Sequence, residues 1–272
     1  MAIINGRGRV GARVTSGSSP APSYLLDTYS GAAVAYSLRK LSSTYSGSAI
    51  RVRRSSDNTE MNIGFNSDGS LNTSALLTFV GVGNGFVTTW YDQSGNNVNA
   101  NQTVAASQPL IVNSGILNVV NGKPSVYFNN KFLNMNFSSV NNQTYFTVTK
   151  FNSVGAYFSR IFGPGGGMHQ LYQHSNSKYV MYNGGSGLFS TMNTDTNQKV
   201  IGTYWNTGST SKLYFNGVLN ATGNSGSYTA TTTTLGSNQT TALEVQEHLS
   251  WQLDYTSNML ALSTNQKNYY GF

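Results

Sequence analysis

The sequence predicts an all-β chain folded as a two-sheet antiparallel sandwich with a few short helices, and three observations carry that expectation. Short alternating apolar runs follow one another along 272 residues, separated by Gly, Asn and Ser turns. Aromatic residues reach 12% while charged residues are only 9%, the balance of a chain that fills pleated layers with Tyr, Phe and Trp. No repeat at a fixed period is visible, which argues against a solenoid or a propeller. The length suits a single sandwich domain, and the division expected is an arm over residues 1–22 followed by one domain over 23–272.

Taken in order, residues 1–22 contain Arg7, Arg9 and Arg13, no acid, and a Ser-Gly-Ser-Ser-Pro-Ala-Pro exit of linker composition. Such an arm is either a disordered tail or a segment that orders on a partner. Residues 31–44 place Val34, Leu38 and Leu41 at helical spacing and predict an amphipathic helix ending at Gly47. Residues 48–54 alternate and predict a strand with Ile50 and Val52 inward, Arg51 and Arg53 on the other face. Asn72 is a good N-cap for a short helix running to the glycines at 81 and 83. Residues 86–91 read as a strand with Val87, Thr89 and Tyr91 on one face and Phe86, Thr88 and Trp90 on the other. Further strands are expected at 125–128, 144–151, 160–163, 178–182, 199–205 and 212–215, with Asn216-Gly217 as a two-residue hairpin turn. A long closing strand over 243–255 and a helix over 257–270, with Met259, Leu262 and Tyr269 on one side, complete the chain.

The net charge of +7 raises the question of nucleic acid, but the positives are concentrated in two places, the arm and one strand, without a recognition motif. A basic arm docking on an acidic protein surface explains the first cluster equally well. There is no cysteine, no apolar leader run and no stretch of apolar residues long enough to span a membrane. No metal or cofactor is expected: His169 and His174 lack an acid that would complete a site, His248 is read as a strand-surface residue, and 163–167 lacks the Lys and Ser/Thr of a phosphate loop.

One segment carries a family likeness. Ser37, Arg39 and Leu41, Tyr45-Ser46-Gly47, Val52-Arg53-Arg54, Ser56-Asp57, Ile63-Gly64 and Tyr91-Asp92-Gln93-Ser94-Gly95 occur in an order and spacing that resemble the catalytic domain of the family 54 α-L-arabinofuranosidases. The resemblance implies a concanavalin A-like sandwich (jelly roll), and Leu213 to Leu219 is similar to laminin G and lectin sandwiches. Within it Arg53, Asp57, Tyr91, Asp92, Gln93 and Ser94 are expected to hold loops. A retaining glycosidase needs two carboxyl groups about 5 to 5.5 Å apart. The region comparable to the family's nucleophile, 161–170, contains no carboxylate, and the turn comparable to its acid/base carries Asn238, which cannot donate a catalytic proton. Glu244 and Glu247, three apart on a strand, are expected to face opposite sides. No catalytic residue is therefore assigned.

What the resemblance leaves is a lectin-like surface. Gln170, Tyr172, Tyr182, Asn183, Trp205 and Asn238 are candidates for glycan contact, since aromatic faces stack on sugar C–H surfaces and amides bond hydroxyls. Each ring competes with the plainer role of a core or strand-surface residue. The closing segment and the basic arm also resemble sandwich domains of bacteriophage virion proteins. The expectation is a non-catalytic virion surface or appendage protein, anchored to other virion proteins through residues 1–22, in several copies, with host surface glycan as its partner. The alternatives are an active arabinofuranosidase-like hydrolase and a purely structural decoration protein.

Overall fold

The computed structural model describes residues 24–154, 159–163, 170–174, 176–206, 210–227, 230–237 and 242–272. Strand accounts for 46% of it and helix for 13%, in a large antiparallel sheet that nearly closes on itself, so the chain is an all-β sandwich with few short helices. The expected arm lies outside the described residues.

The first layer is centred on the closing strand Leu243–Trp251. It pairs with Val34–Ser37 on one side and Gln143–Phe151 on the other. Lys199–Trp205, Ser211–Phe215 and Val218–Gly223 extend the layer outward. The second layer runs from Glu60–Ile63 through Ile50–Arg54, Gly85–Trp90, Ala100–Asn101, Lys131–Met135 and Thr233–Ser237. It continues through Ser159–Phe162, Gln170–Gln173, Lys178–Tyr182 and Gly187–Asn193. Val126–Phe128 and Leu110–Asn113 join the layers at one seam. At the other seam Thr191 and Asn220 bond through backbone and side chains.

Alternating positions of both layers fill the space between them. Trp90, Tyr36, Tyr145, Phe162 and Trp205 are buried there with Ile50, Leu133, Leu171 and Leu235. A second apolar cluster lies on the outer face of the first layer, where Phe146, Leu249 and Trp251 meet Leu25, Met259, Leu262 and Tyr270 of the flanking helices. A buried ion pair stitches this side together: Arg39 Nε donates to Glu247 Oε2 at 2.8 Å, and Ser37, Gln266 and Tyr270 also donate to that carboxylate.

Several expectations hold. Asn72 Oδ1 accepts from the Ala75 N–H and caps the helix Thr73–Val80. Asn216 and Gly217 take φ of 54° and 86°, the left-handed pair of a two-residue hairpin turn. Others fail for identifiable reasons. Residues 31–44 are not a helix: Val34–Ser37 is a strand buried at every position, because it pairs with the closing strand and is covered on both faces. The closing strand ends at Trp251, and the C-terminal helix spans Met259–Tyr270. Register shifts interrupt the period of two in several strand pairs, and two of them change which side chains share a face. Arg51 pairs with Thr89 and Val52 with Val87, so Thr88 is extra, and Val87 and Trp90 both face the core. Val148 pairs with Glu247 while Lys150 pairs with Glu244, so Gln246 is extra and the two glutamates share one face instead of opposing each other.

Candidate functional site

The outward face of the second layer presents one polar side chain per strand along a single register row. Asn62 pairs with Arg51, Arg51 with Thr89, Thr89 with Asn101, Asn101 with Asn134, and Asn134 with Thr234. Their inward neighbours Ile50, Trp90, Ala100, Leu133, Met135 and Leu235 are core, so alternation alone drives the polar set outward. Asn62, Arg51 and Asn134 are exposed, and Thr89, Asn101 and Thr234 are half-buried. From Arg51 to Thr234 the row crosses four strand spacings, about 19 Å. Beyond Thr234 the backbone N–H of Gly163 donates to the Thr234 carbonyl, and the paired positions Gln170 and Tyr182 lie further along the same layer.

Two predicted candidates therefore fall along this face, at Gln170 by backbone register and at Tyr182, whose half-buried ring lies opposite the inward Met181. Tyr172 lies on the same side as Tyr182 but is only 4% exposed. Asn183 is also 4% exposed, and its backbone bridges to Gly226. Trp205 is not at the surface. It is 1% exposed, its Nε1 donates to Thr203 Oγ1 at 2.8 Å, and its ring meets Phe162 edge-on, so it belongs to the core between the layers. Asn238 lies outside the described residues, as do Arg7, Arg9 and Arg13. The row itself escaped sequence reasoning, because its members come from six separate strands and only the register aligns them.

The residues of the family-like segment act on loops. One Asp92 oxygen accepts from the Ala35 and Ser94 N–H groups, and the other accepts from the Ser94 hydroxyl and the Val98 N–H. Gln93 spans the neighbouring loop, accepting from the Leu41 N–H and donating to the Ser37 and Arg39 carbonyls. Tyr91 donates to Asn62 Oδ1, tying this segment to the end of the polar row. Arg53 donates to Gln108 and Asn58, with its guanidinium 4.7 Å from the Phe86 ring centre. Asp57 accepts a two-bond grip from Arg54, which holds its carboxyl well below the usual range.

Each of the nine carboxylates has such a partner. Besides Asp57, Asp92 and Glu247, Asp27 accepts from Ser42 and Ser43, Glu60 pairs with Arg51 at 2.6 Å, and Asp68 accepts from Ser70. Asp195 pairs with Lys199, Glu244 accepts from Ser125 at 2.7 Å, and Asp254 accepts from Thr256. Burial pushes Glu244 up. Burial would raise Glu247 too, but the Arg39 guanidinium and the surrounding donors outweigh it and hold the carboxylate low. Although the bulge puts Glu244 and Glu247 on one face, Glu247 is fully buried against the C-terminal helix.

His248 is likewise not a surface residue. It is fully buried among Tyr36, Tyr145 and Phe162, with ring centres 5.2 to 6.3 Å away. Nδ1 bonds the Thr147 hydroxyl at 2.8 Å, Nε2 has no partner, and burial lowers its pKa to about 3. Among the described residues no group of three or more His, Asp or Glu could hold a metal ion, and no helix is long and apolar enough to cross a membrane.

The comparisons with known proteins agree with this architecture. A family model described as "Alpha-L-arabinofuranosidase B, catalytic" matches residues 27–146. Among solved structures, a family 54 α-L-arabinofuranosidase soaked with 4-nitrophenyl α-L-arabinofuranoside superposes with a TM-score of 0.56 at 15% identity. An arabinofuranosidase complexed with arabinofuranosyl-α-1,2-xylobiose gives 0.57 at 16%. Each match covers 88% of this chain and 64% of the other, so the chain spans about two thirds of the length of the enzymes it is similar to. A search of curated proteins gives no match. At these identities the likeness is one of fold, and the chain has an α-L-arabinofuranosidase catalytic-domain-like β-sandwich fold.

Proposed function

We propose that this chain binds glycan on the open face of its second layer and does not hydrolyse it. The observation that carries the reading is the row from Asn62 to Thr234, a track of amide, hydroxyl and guanidinium groups in line with Tyr182. Side chains of these types donate to and accept from sugar hydroxyls, and alternation on a paired sheet fixes their spacing before any ligand arrives. The likeness to an arabinofuranosidase complexed with arabinofuranosyl-α-1,2-xylobiose suggests xylan bearing arabinofuranosyl branches as the ligand class. A non-catalytic role is supported by the carboxylates: each of the nine is tied to a loop, a helix or a basic side chain.

The second reading is an active arabinofuranosidase-like hydrolase, favoured by the family-model match and by the fold of its structural neighbours. Incubating the protein with arabinoxylan and with unbranched xylan, while assaying bound protein and released arabinose together, separates the two. Retention without release, weakened about fivefold or more by Asn134→Ala or Tyr182→Ala, is expected for roughly 1 kcal/mol of lost contact. Arabinose release that an Asp or Glu variant abolishes would put hydrolysis first. Display on a bacteriophage particle through residues 1–22 is a separate proposal on which the fold and the matches do not bear. Deleting residues 1–22 and finding particle incorporation unchanged would end it.

A further inference from the structure

We propose that the cleft around Tyr45 is a second saccharide site, separate from the open face, and that it takes a sugar bearing a carboxylate. The cleft, of about 380 Å³, lies between the loops 45–48 and 64–67, with Tyr24 and Lys40 on its remaining wall. This volume is within the range of small-molecule sites. A smaller cleft of about 270 Å³ lies on the other side of Tyr45 and reaches the turn at Gln93 to Gly95, so the ring stands as a ridge between two depressions.

Tyr45 is held for such a role before any ligand arrives. Its hydroxyl donates to the Ser48 carbonyl at 2.8 Å, and Phe65 meets its ring edge-on at 6.4 Å. Gly47 packs so close that a Cβ there would come within 2.5 Å of the Tyr45 hydroxyl and would push the ring out of this position. A rigid aromatic with a bonded hydroxyl offers an apolar surface to the C–H side of a sugar at little entropic cost. Ser46 and Ser67 form an exposed hydroxyl rim.

Lys40 supplies the selectivity. Its Nζ sits 5.3 Å from the Tyr24 ring centre, and among the described residues it forms no ion pair. No carboxylate lines the cleft. The cleft is therefore of one sign, with a cation held at an aromatic wall, and a ligand carboxylate would give it the partner the protein withholds.

Calorimetric titration of the full chain with a tetrasaccharide of galacturonic acid, and with xylotetraose as the neutral control, tests the proposal. The acidic tetrasaccharide is expected to bind, and about tenfold more weakly to Lys40→Met, the loss of one charge-assisted bond. Ser67→Trp, at an exposed position with room for the ring, fills the cleft and is expected to weaken binding as much, so the test survives a poorly folded Lys40 variant. Asn134→Ala, on the open face, is expected to leave this affinity unchanged. No binding at millimolar ligand, equal affinity for xylotetraose, an affinity insensitive to both cleft variants, or a loss caused by Asn134→Ala would each overturn the assignment.

Discussion

Asp92 shows how much one side chain organises here. Its two oxygens take three backbone N–H groups, one from distant Ala35 and two from its own turn, so Asp92→Ala would leave buried and half-buried donors without acceptors. A loss of at least about 2 kcal/mol is expected by urea unfolding, with Asp92→Asn recovering part of it. Glu247 is a sharper case. Glu247→Gln leaves the Arg39 guanidinium buried without its counter-charge, and about 3 to 5 kcal/mol should go. His248 makes a prediction in pH. Its pKa is about 3 in the fold and near 6.5 in an unfolded chain, so the fold favours the neutral ring. Stability is then complete above about pH 6.5 and falls by up to roughly 1.4 kcal/mol per pH unit as the pH drops toward 3. Comparing unfolding at pH 7 and 4.5 in the parent and in His248→Phe isolates this contribution, because the phenyl ring cannot titrate. Equal pH slopes in the two proteins would refute it.

Among the elements, the hairpin at Asn216 and Gly217 and the two bulges mark the limits of local reading. Gly217 has a positive φ of 86°, and a Cβ there would come within 2.8 Å of the Leu260 Cα, so Gly217→Ala meets both backbone strain and a clash with the C-terminal helix. A cost of about 1 to 3 kcal/mol is expected, read as a lower melting temperature and faster exchange of amides in the helix Met259–Tyr270. An Asn-Gly pair announces its conformation because no other residues adopt it as cheaply. A bulge has no such signature: Thr88 and Gln246 look like ordinary strand residues, yet each inverts the facing of the strand residues after it. That is why Trp90 turns up beside Val87 in the core and why Glu244 and Glu247 share a face.

Across the whole fold, the two layers divide the labour. The central strands of the first, Val34–Ser37, Gln143–Phe151, Lys199–Trp205 and Leu243–Trp251, are buried on both faces, by the second layer on one side and by the helices on the other, and their polar residues are absorbed into networks such as Arg39 with Glu247. The second keeps one face open from Glu60–Ile63 to Thr233–Ser237, and there alternation produces a surface of Asn, Thr and Arg. The proposed glycan track and the Tyr45 cleft draw on different residues, so binding of a neutral branched xylan and of an acidic tetrasaccharide should be additive. Each ligand should bind with the same affinity whether or not the other is saturating, a simple titration in either order.

Local sequence was enough for the class of the fold, about half of its described strands, the Asn72 cap and the Asn216-Gly217 turn. These depend on alternation, on backbone-bonding side chains and on residues with special φ, all of which act over a few neighbouring positions. The assembled fold was needed to settle which strand is covered on two faces, so that Val34–Ser37 is a strand despite its helical spacing. It was needed as well to place Trp205 and His248 inside and to align six polar residues from six strands in one row. Pairing partners and register come from the whole chain closing on itself, and no window of sequence contains that information.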